Sequence, residues 1–215
     1  MEELHRALGT TLPCSPCAQF RSHGWSAIFD PIAAQTPTRG YELDADTNLA
    51  LAVWVATYHV RPAVAVETGV ARGLTSATIL SAMENRETGH LYSIDLPPLT
   101  KGWAQQSRTA VSGDLQHRWS YVRGATRRKL PGLLARLKPV DLFVHDSLHT
   151  YDNMRFELES AWPALRAGGV LIADDIQDNR AFDELVAGSA ESRWIVGPQC
   201  EKPASRWGLV VKGSG

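Results

Sequence analysis

Residues 63–80 read AVAVETGVARGLTSATIL, and the fold follows from how this stretch is parsed. Ala63–Glu67 is a short apolar run ending in an acid, the pattern of a strand buried on both faces. From Leu74 to Met83 the apolar residues recur at helical spacing. Between them lies Glu67-Thr68-Gly69-Val70-Ala71-Arg72-Gly73, whose two glycines permit a tight turn and close approach of a ligand. Strand, glycine turn and helix together make the first half of a βαβ unit.

The same alternation continues downstream. His90–Asp95 reads as a second strand and residues 103–112 as a weak helix. Ser120–Arg123 is a third strand, followed by a helix face of Leu130, Leu133, Leu134 and Leu137. Val140–His145 is a fourth strand. Tyr151, Met154, Leu158, Trp162 and Leu165 form a helical stripe, and Gly169–Ala173 is a fifth strand. A helix is expected over Asp178–Ala187, then strand-like runs at Trp194–Val196 and Trp207–Val211. This alternation predicts the α/β class, a parallel sheet with helices on both faces. Ligands in such sheets bind beyond the carboxyl ends of the strands, at the point where the strand order reverses.

Upstream, Asp46 is a plausible N-cap for a helix carrying Leu49, Ala50, Val53, Trp54 and Thr57. Residues 1–45 contain Pro13, Pro16, Pro31 and Pro37 and read as an irregular extension or lid, with a short helix near Glu2–Leu8. Residues 46–215 form the ligand-binding domain.

Composition limits the functional classes. Twenty-two basic residues face 23 acidic ones, a net charge of -1, without the surplus of Lys and Arg that nucleic-acid binding needs. The run Arg127-Arg128-Lys129 is read as a solvated helix start. No apolar run approaches the ~20 residues of a membrane helix, and the acidic start Met1-Glu2-Glu3 lacks a signal-type apolar core. Three cysteines cannot all pair, so a reducing, cytoplasmic setting is expected. Cys14 and Cys17 form a C-x-x-C. Zinc there would need further ligands, with His23 and Cys200 as the residues considered, and the favoured reading is plain loop cysteines.

The glycine loop bears on the cofactor. A dinucleotide fingerprint, G-x-G-x-x-G, uses its middle glycine to let the backbone touch a pyrophosphate. Here Ala71 holds that place, and the acid Glu67 precedes the glycines. That arrangement suits S-adenosylmethionine (SAM), which has an ammonium and a sulfonium but no pyrophosphate. Glu67, Thr68, Gly69, Ala71, Gly73 and Thr75 are therefore cofactor-binding candidates. Asp95, ending the second strand, is placed to accept ribose hydroxyls, and Thr126, after the third, to reach the adenine edge.

Asp146 ends the fourth strand, and Asp174 and Asp175 end the fifth, so three carboxylates are expected at one sheet edge. Like charges so close raise one another's pKa, and a divalent cation relieves the repulsion. Oxygen-rich sites favour Mg²⁺ or Mn²⁺. His149 is a candidate general base, because imidazole titrates in the useful range. His145, inside the strand, is read as structural, and Tyr151 as packing. Trp25 and Trp103 lie in segments expected to cover the cleft.

These motifs in order, E-T-G-x-A-R-G, Y-S-I-D, D-L-F-V-H-D-S and G-G-V-L-I-A-D-D, resemble the class I SAM-dependent methyltransferases. The segment Asp146-Ser147-Leu148-His149-Thr150-Tyr151 is similar to the D-x-x-H-x-Y of a small-molecule O-methyltransferase branch that includes macrolide-sugar and cephalosporin-biosynthesis enzymes. The resemblance implies a Rossmann-like seven-stranded, mostly parallel sheet whose last strand is antiparallel. It also implies metal ligands at the strand ends Asp146, Asp174 and Asp175, and transfer of a methyl from SAM to a natural-product or sugar hydroxyl, with Asp146 and His149 catalytic. Homo-oligomers are common in such families. The competing readings are an NAD(P)-binding oxidoreductase, a non-catalytic nucleoside-binding protein, and N- rather than O-methylation.

Overall fold

The computed structural model describes residues 1–33 and 45–214; Pro37 and the rest of residues 34–44 lie outside the described part. The sheet has seven strands: β1 Val64–Thr68, β2 His90–Asp95, β3 Trp119–Arg123, β4 Val140–His145, β5 Leu165–Ala173, β6 Arg193–Pro198 and β7 Arg206–Val211. Their order is β3-β2-β1-β4-β5-β7-β6. The pairs among β1 to β5 are parallel, and β7 runs antiparallel to both β5 and β6. The expected Rossmann-like sheet with an antiparallel last strand is borne out.

Nine α-helices are described: α1 Glu2–Ala7, α2 Ser15–Gln19, α3 Trp25–Ala33, α4 Thr47–Val60, α5 Leu74–Asn85, α6 Lys101–Gln106, α7 Thr126–Leu137, α8 Tyr151–Ala161 and α9 Ala181–Ala187. Side chains alternate across each strand, so successive residues enter opposite layers. Ala65 of β1, Leu142 and Val144 of β4, and Val170 and Ile172 of β5 face α4 and α5. Val66, Phe143, Leu171 and Ala173 face α7, α8 and α9. Runs buried on both faces are the signature that made these strands readable.

Several boundaries differ from expectation; the helical stripe expected to reach Leu165 ends at Ala161, and Leu165 instead opens β5, four residues before the expected Gly169. The helix expected over 103–112 runs over Lys101–Gln106 instead, because the Thr100 hydroxyl accepts the Trp103 amide at 3.1 Å and sets an earlier start. The helix expected from Asp178 begins at Ala181, where Asn179 Oδ1 accepts the Ala181 amide at 2.9 Å. In the N-terminal stretch the short helix expected near Glu2–Leu8 is α1, and the described residues from Ser15 to Ala33, expected to be irregular, are helical. Pro16 sits in the first turn of α2, where a missing N–H leaves nothing unsatisfied. A π-helical turn, Phe20–Gly24, then carries the chain into α3. The turn is held by packing that local sequence cannot reveal: Phe20 stacks on Trp54 of α4, ring centroids 4.3 Å apart. Trp25, expected over the cleft, stacks on Phe29 at 5.3 Å and packs against the core. No described helix is long and apolar enough to cross a membrane.

Asp46 caps α4 as expected, its Oδ1 accepting the Asn48 amide at 2.7 Å. Its other oxygen accepts the amides of Cys200 and Glu201, each at 2.6 Å. One carboxylate thus starts a helix and pins the β6–β7 turn. Burial would raise its pKa, but a side-chain hydrogen bond with Glu201 and these amide bonds outweigh it and hold Asp46 below its ordinary value.

Candidate functional site

Strand register brings the site together. Thr68 of β1 pairs with Ile94 of β2 and His145 of β4, and His145 pairs with Ala173 of β5. The ladder runs one residue further, with Gly69 N–H bonded to Ile94 O, Asp146 N–H to Thr68 O and Asp174 N–H to His145 O, each at 2.9 Å. The residues following β1, β4 and β5 are therefore fixed by backbone bonds at one edge, where the chain reverses its strand order between β1 and β4. A cleft of about 670 Å³ opens there. Gly69, Ala71, Asp95, Thr126, Asp146, His149, Asp174 and Asp175 line it, with Trp103 and Lys202.

The loop after β1 is tightly determined. Gly69 has φ +83, and a Cβ there would lie 1.9 Å from the carbonyl oxygen of Asp146. Gly73 begins α5 at φ +89. Ala71 takes φ +48, a strained value for a residue with a Cβ. It is held by Asp95 Oδ2, which accepts the amides of Val70 at 3.2 Å and Ala71 at 3.1 Å, and by Arg108 N–H on Ala71 O at 3.0 Å. Asp95 Oδ1 accepts the Leu96 amide at 2.7 Å. Asp95 therefore shapes the loop as well as facing the cleft.

Four of the sequence-selected loop residues, Glu67, Thr68, Gly73 and Thr75, stand behind the cleft wall. Glu67 is wholly buried. Its Oε2 accepts the Ser76 hydroxyl at 2.5 Å and the Ser93 hydroxyl at 2.6 Å, and its Oε1 has no hydrogen-bond partner. Burial pushes this carboxyl up to about 7. Its side chain points to the α5 layer, because alternation on β1 turns it the same way as Ala65. Thr68 points the other way, and its hydroxyl donates to Glu157 Oε2 at 2.5 Å. Thr75 donates to Asp146 Oδ2 at 3.0 Å and so sets the rotamer of that acid.

Glu157 of α8 is a buried hub that the sequence reading did not single out. His145 Nδ1 lies 2.7 Å from its Oε2, and the Ser147 hydroxyl donates to both of its oxygens at 2.9 and 3.0 Å. Burial alone would raise its pKa. The bonds from His145, Thr126 and Thr68 outweigh that and hold it below its ordinary value. The hub ties β1, β4, α7 and α8 together beneath the cleft, which fits the structural reading of His145.

Two of the three expected acids, Asp146 and Asp174, come together at the sheet edge. Burial, with Glu67 and Asp175 adding to it against the Thr75 bond, pushes Asp146 up to about 7. Burial and the neighbouring charges of Asp146 and Asp175 raise Asp174 well above its ordinary value. Asp146, Asp174 and His149 bring one ligand atom each within 4.8 Å of one another. The sequence reading placed Asp175 in that group, with His149 beside it. Asp175 is instead turned aside at φ +48, its Oδ2 3.7 Å from His149 Nε2. Burial holds His149 below its ordinary pKa, with His145 adding to the effect and Asp175 opposing it. Burial thus favours the uncharged imidazole. The two carboxylates offer the oxygen ligands that suit a hard divalent cation such as Mg²⁺ or Mn²⁺, with the imidazole beside them.

Gln199 was also missed. It is buried and donates to Asp174 Oδ1 at 2.5 Å and Asp175 Oδ1 at 3.1 Å. Gln199 and Lys202 arrive on the β6–β7 turn that Asp46 pins. Their distance in sequence from the other site residues hides them, and no motif marks the turn.

Comparison with known proteins agrees with this geometry. A family model described as "Methyltransferase domain" matches residues 66–176, from β1 to the turn after β5. No curated protein matches the chain. Among solved structures, the O-methyltransferase TomG of Streptomyces achromogenes, involved in tomaymycin synthesis and solved with SAM, is 16% identical. The match covers 99% of this chain and 100% of that one, with a TM-score of 0.68. An O-methyltransferase from Bacillus cereus solved with S-adenosylhomocysteine (SAH) is 14% identical over 97% and 96% of the two chains, TM-score 0.65. The SAH-bound methyltransferase PaMTH1 of Podospora anserina is 12% identical over 95% and 99%, TM-score 0.63. The structural likeness establishes the fold, and the family match spans the glycine loop, Asp95, Asp146 and both late acids, so this chain belongs to the methyltransferase domain family.

Proposed function

We propose that the chain transfers the methyl group of SAM to a hydroxyl of a small molecule, assisted by a divalent cation, Mg²⁺ or Mn²⁺. One juxtaposition carries this reading. A single cleft is lined on one side by the Gly69–Ala71 loop, Asp95 and Thr126, and on the other by the acid–base group Asp146, His149 and Asp174.

SAM supplies a methyl already activated on a sulfonium, so the protein's part is to bind, align and deprotonate the acceptor. Asp95 offers its carboxylate oxygens to the ribose hydroxyls while keeping the loop amides in place. Asp146 and Asp174 would hold the cation, which would supply Lewis acidity to lower the pKa of an acceptor hydroxyl. His149, kept neutral by burial, takes the proton, and Asp175 beside it stabilises the imidazolium that results. Leu96 and Leu148 line the cleft and remain 61% and 63% exposed, which suits an acceptor with an apolar body. TomG acts in tomaymycin synthesis, and a natural-product or sugar hydroxyl is the acceptor class proposed for this chain.

The test is turnover with methyl-labelled SAM against a panel of phenols, catechols and sugar alcohols, with Mg²⁺, Mn²⁺ or EDTA. The reading predicts label attached to oxygen, identified by NMR of the product, and loss of turnover in EDTA. Label on nitrogen, or turnover indifferent to chelation, would overturn the oxygen and the metal assignments respectively.

A further inference from the structure

Away from the cleft, the N-terminal helices meet α4 around four side chains that the methyl-transfer reading leaves unused. His5 comes from α1, Cys14 and Cys17 from the start of α2, and His59 from the last turn of α4. Each offers one ligand atom, and the four atoms lie within 4.8 Å of one another. The two sulfurs are 2.7 Å apart. His59 Nε2 lies 3.4 Å from the sulfur of Cys14 and 3.5 Å from that of Cys17. Neither cysteine is in a disulfide.

The tautomer of His5 is set by its surroundings. Its Nδ1 lies 2.8 Å from the carbonyl oxygen of Met1. A nitrogen facing a carbonyl must carry the proton, so Nε2 presents its lone pair. That Nε2 is buried without a hydrogen-bond partner, on a side chain only 1% exposed. An imidazole whose far nitrogen is anchored to a backbone carbonyl is the usual outer support of a metal-bound histidine. Leaving such an acceptor orphaned in the interior is unfavourable.

We propose that His5, Cys14, Cys17 and His59 bind a structural Zn²⁺ ion that staples α1 and α2 to α4. Two sulfurs and two imidazole nitrogens are a zinc donor set, and four protein ligands leave no open position for chemistry. Bond lengths of about 2.3 Å to sulfur and 2.0–2.1 Å to nitrogen put the ligand atoms of a tetrahedral site about 3.3–3.8 Å apart. Both His59–sulfur separations fall in that range. The sulfurs move apart by about 1 Å to reach it. Binding releases the two thiol protons. The alternative fate of a C-x-x-C pair, oxidation to a disulfide, would leave the nitrogens of His5 and His59 facing a bridge that cannot satisfy them. The ligands considered from sequence are not here: His23 is exposed and 2.7 Å from its neighbour Ser22, and Cys200 is exposed. Only the fold could name His5 and His59, which flank the cysteine pair from opposite sides in sequence.

The experiment is native mass spectrometry and elemental analysis of full-length, tag-free protein purified without chelator, alongside cobalt substitution. The expected result is one zinc per chain that survives dialysis, is released by a mercurial thiol reagent, and is replaced by cobalt with the intense visible bands of a tetrahedral thiolate site. The Cys14→Ser/Cys17→Ser double variant should lose the zinc and melt at a lower temperature. Asp146→Asn should keep it, which separates this ion from any cation in the cleft. Wild-type protein that carries no zinc and gives no tetrahedral cobalt spectrum overturns the proposal, whether its thiols are free or its mass is lighter by two hydrogens. Zinc retained by the double variant overturns it too. The wild-type spectrum decides the matter even if the double variant fails to fold.

Discussion

Asp146→Asn is expected to cut methyl transfer by about 10²–10⁴-fold, while the metal-free variant melts no lower than wild type above neutral pH. The two effects share one cause. Asp146 follows β4 beside the loop after β1, half-buried next to Asp174, with its pKa raised from 3.8 to about 7. A carboxyl whose folded pKa exceeds its unfolded one holds its proton longer in the folded state. Its stabilising contribution is complete below about pH 4 and is lost as pH rises to about 7, at about 1.4 kcal/mol per unit at most. Asn has no proton to lose. The melting temperature of metal-free wild type should therefore fall across that interval more steeply than that of the variant. Glu67, also raised to about 7, and Asp174 both interact with the Asp146 charge, so each loses part of its upward shift in the variant, which flattens the variant's slope further. Mg²⁺ or Mn²⁺ should restore wild type at the upper end of the interval and leave the variant unmoved. A variant with near-native turnover, or the same pH slope, would show that Asp146 is neither a ligand nor the raised acid.

Gly69→Ala is expected to abolish SAH binding and to destabilise the fold by about 3 kcal/mol or more. That corresponds to a melting temperature about 6–12 °C lower for a chain of this size. The added Cβ would meet backbone, not a movable side chain: the Asp146 carbonyl at 1.9 Å and the Ser147 Cα at 2.8 Å. Relief requires β1 and β4 to part at the ends that hold the cleft. The positive φ of +83 adds strain of its own. Thermal melting and SAH titration of the variant check both halves, and a well-folded variant with native affinity would mean that the loop has slack the geometry does not show.

The sheet was legible in the sequence because its central strands β1, β4 and the second half of β5 are buried on both faces. Val64–Val66 and Leu142–Val144 are continuous apolar runs. The convergence of Asp146 with Asp174 followed from parallel topology alone. Side-chain direction was harder. Glu67 looked like a cofactor residue because it precedes the glycines, yet alternation on β1 points it into the α5 layer, while Gly69 and Ala71 reach the cleft through their backbone. His149 and Asp175 exchanged places in the acidic group because the backbone of Asp175 turns to positive φ, which no motif announces. Glu157, Gln199 and Lys202 became visible only once α8 and the β6–β7 turn were packed. The N-terminal prolines suggested an irregular segment, whereas the tertiary stacking of Phe20 on Trp54 and the gathering of His5, Cys14, Cys17 and His59 give it helices and a fixed place.

The account stands on one cleft taking up a sulfonium nucleoside, and titration calorimetry of ligand-stripped protein with SAH tests that most directly. It predicts saturable binding at one site per chain. It also predicts an affinity about 10–100-fold weaker in Asp95→Asn, as expected when a charged hydrogen-bond acceptor of the ribose is lost. Folded protein that takes up no SAH, or an Asp95→Asn variant that binds as tightly as wild type, would contradict it.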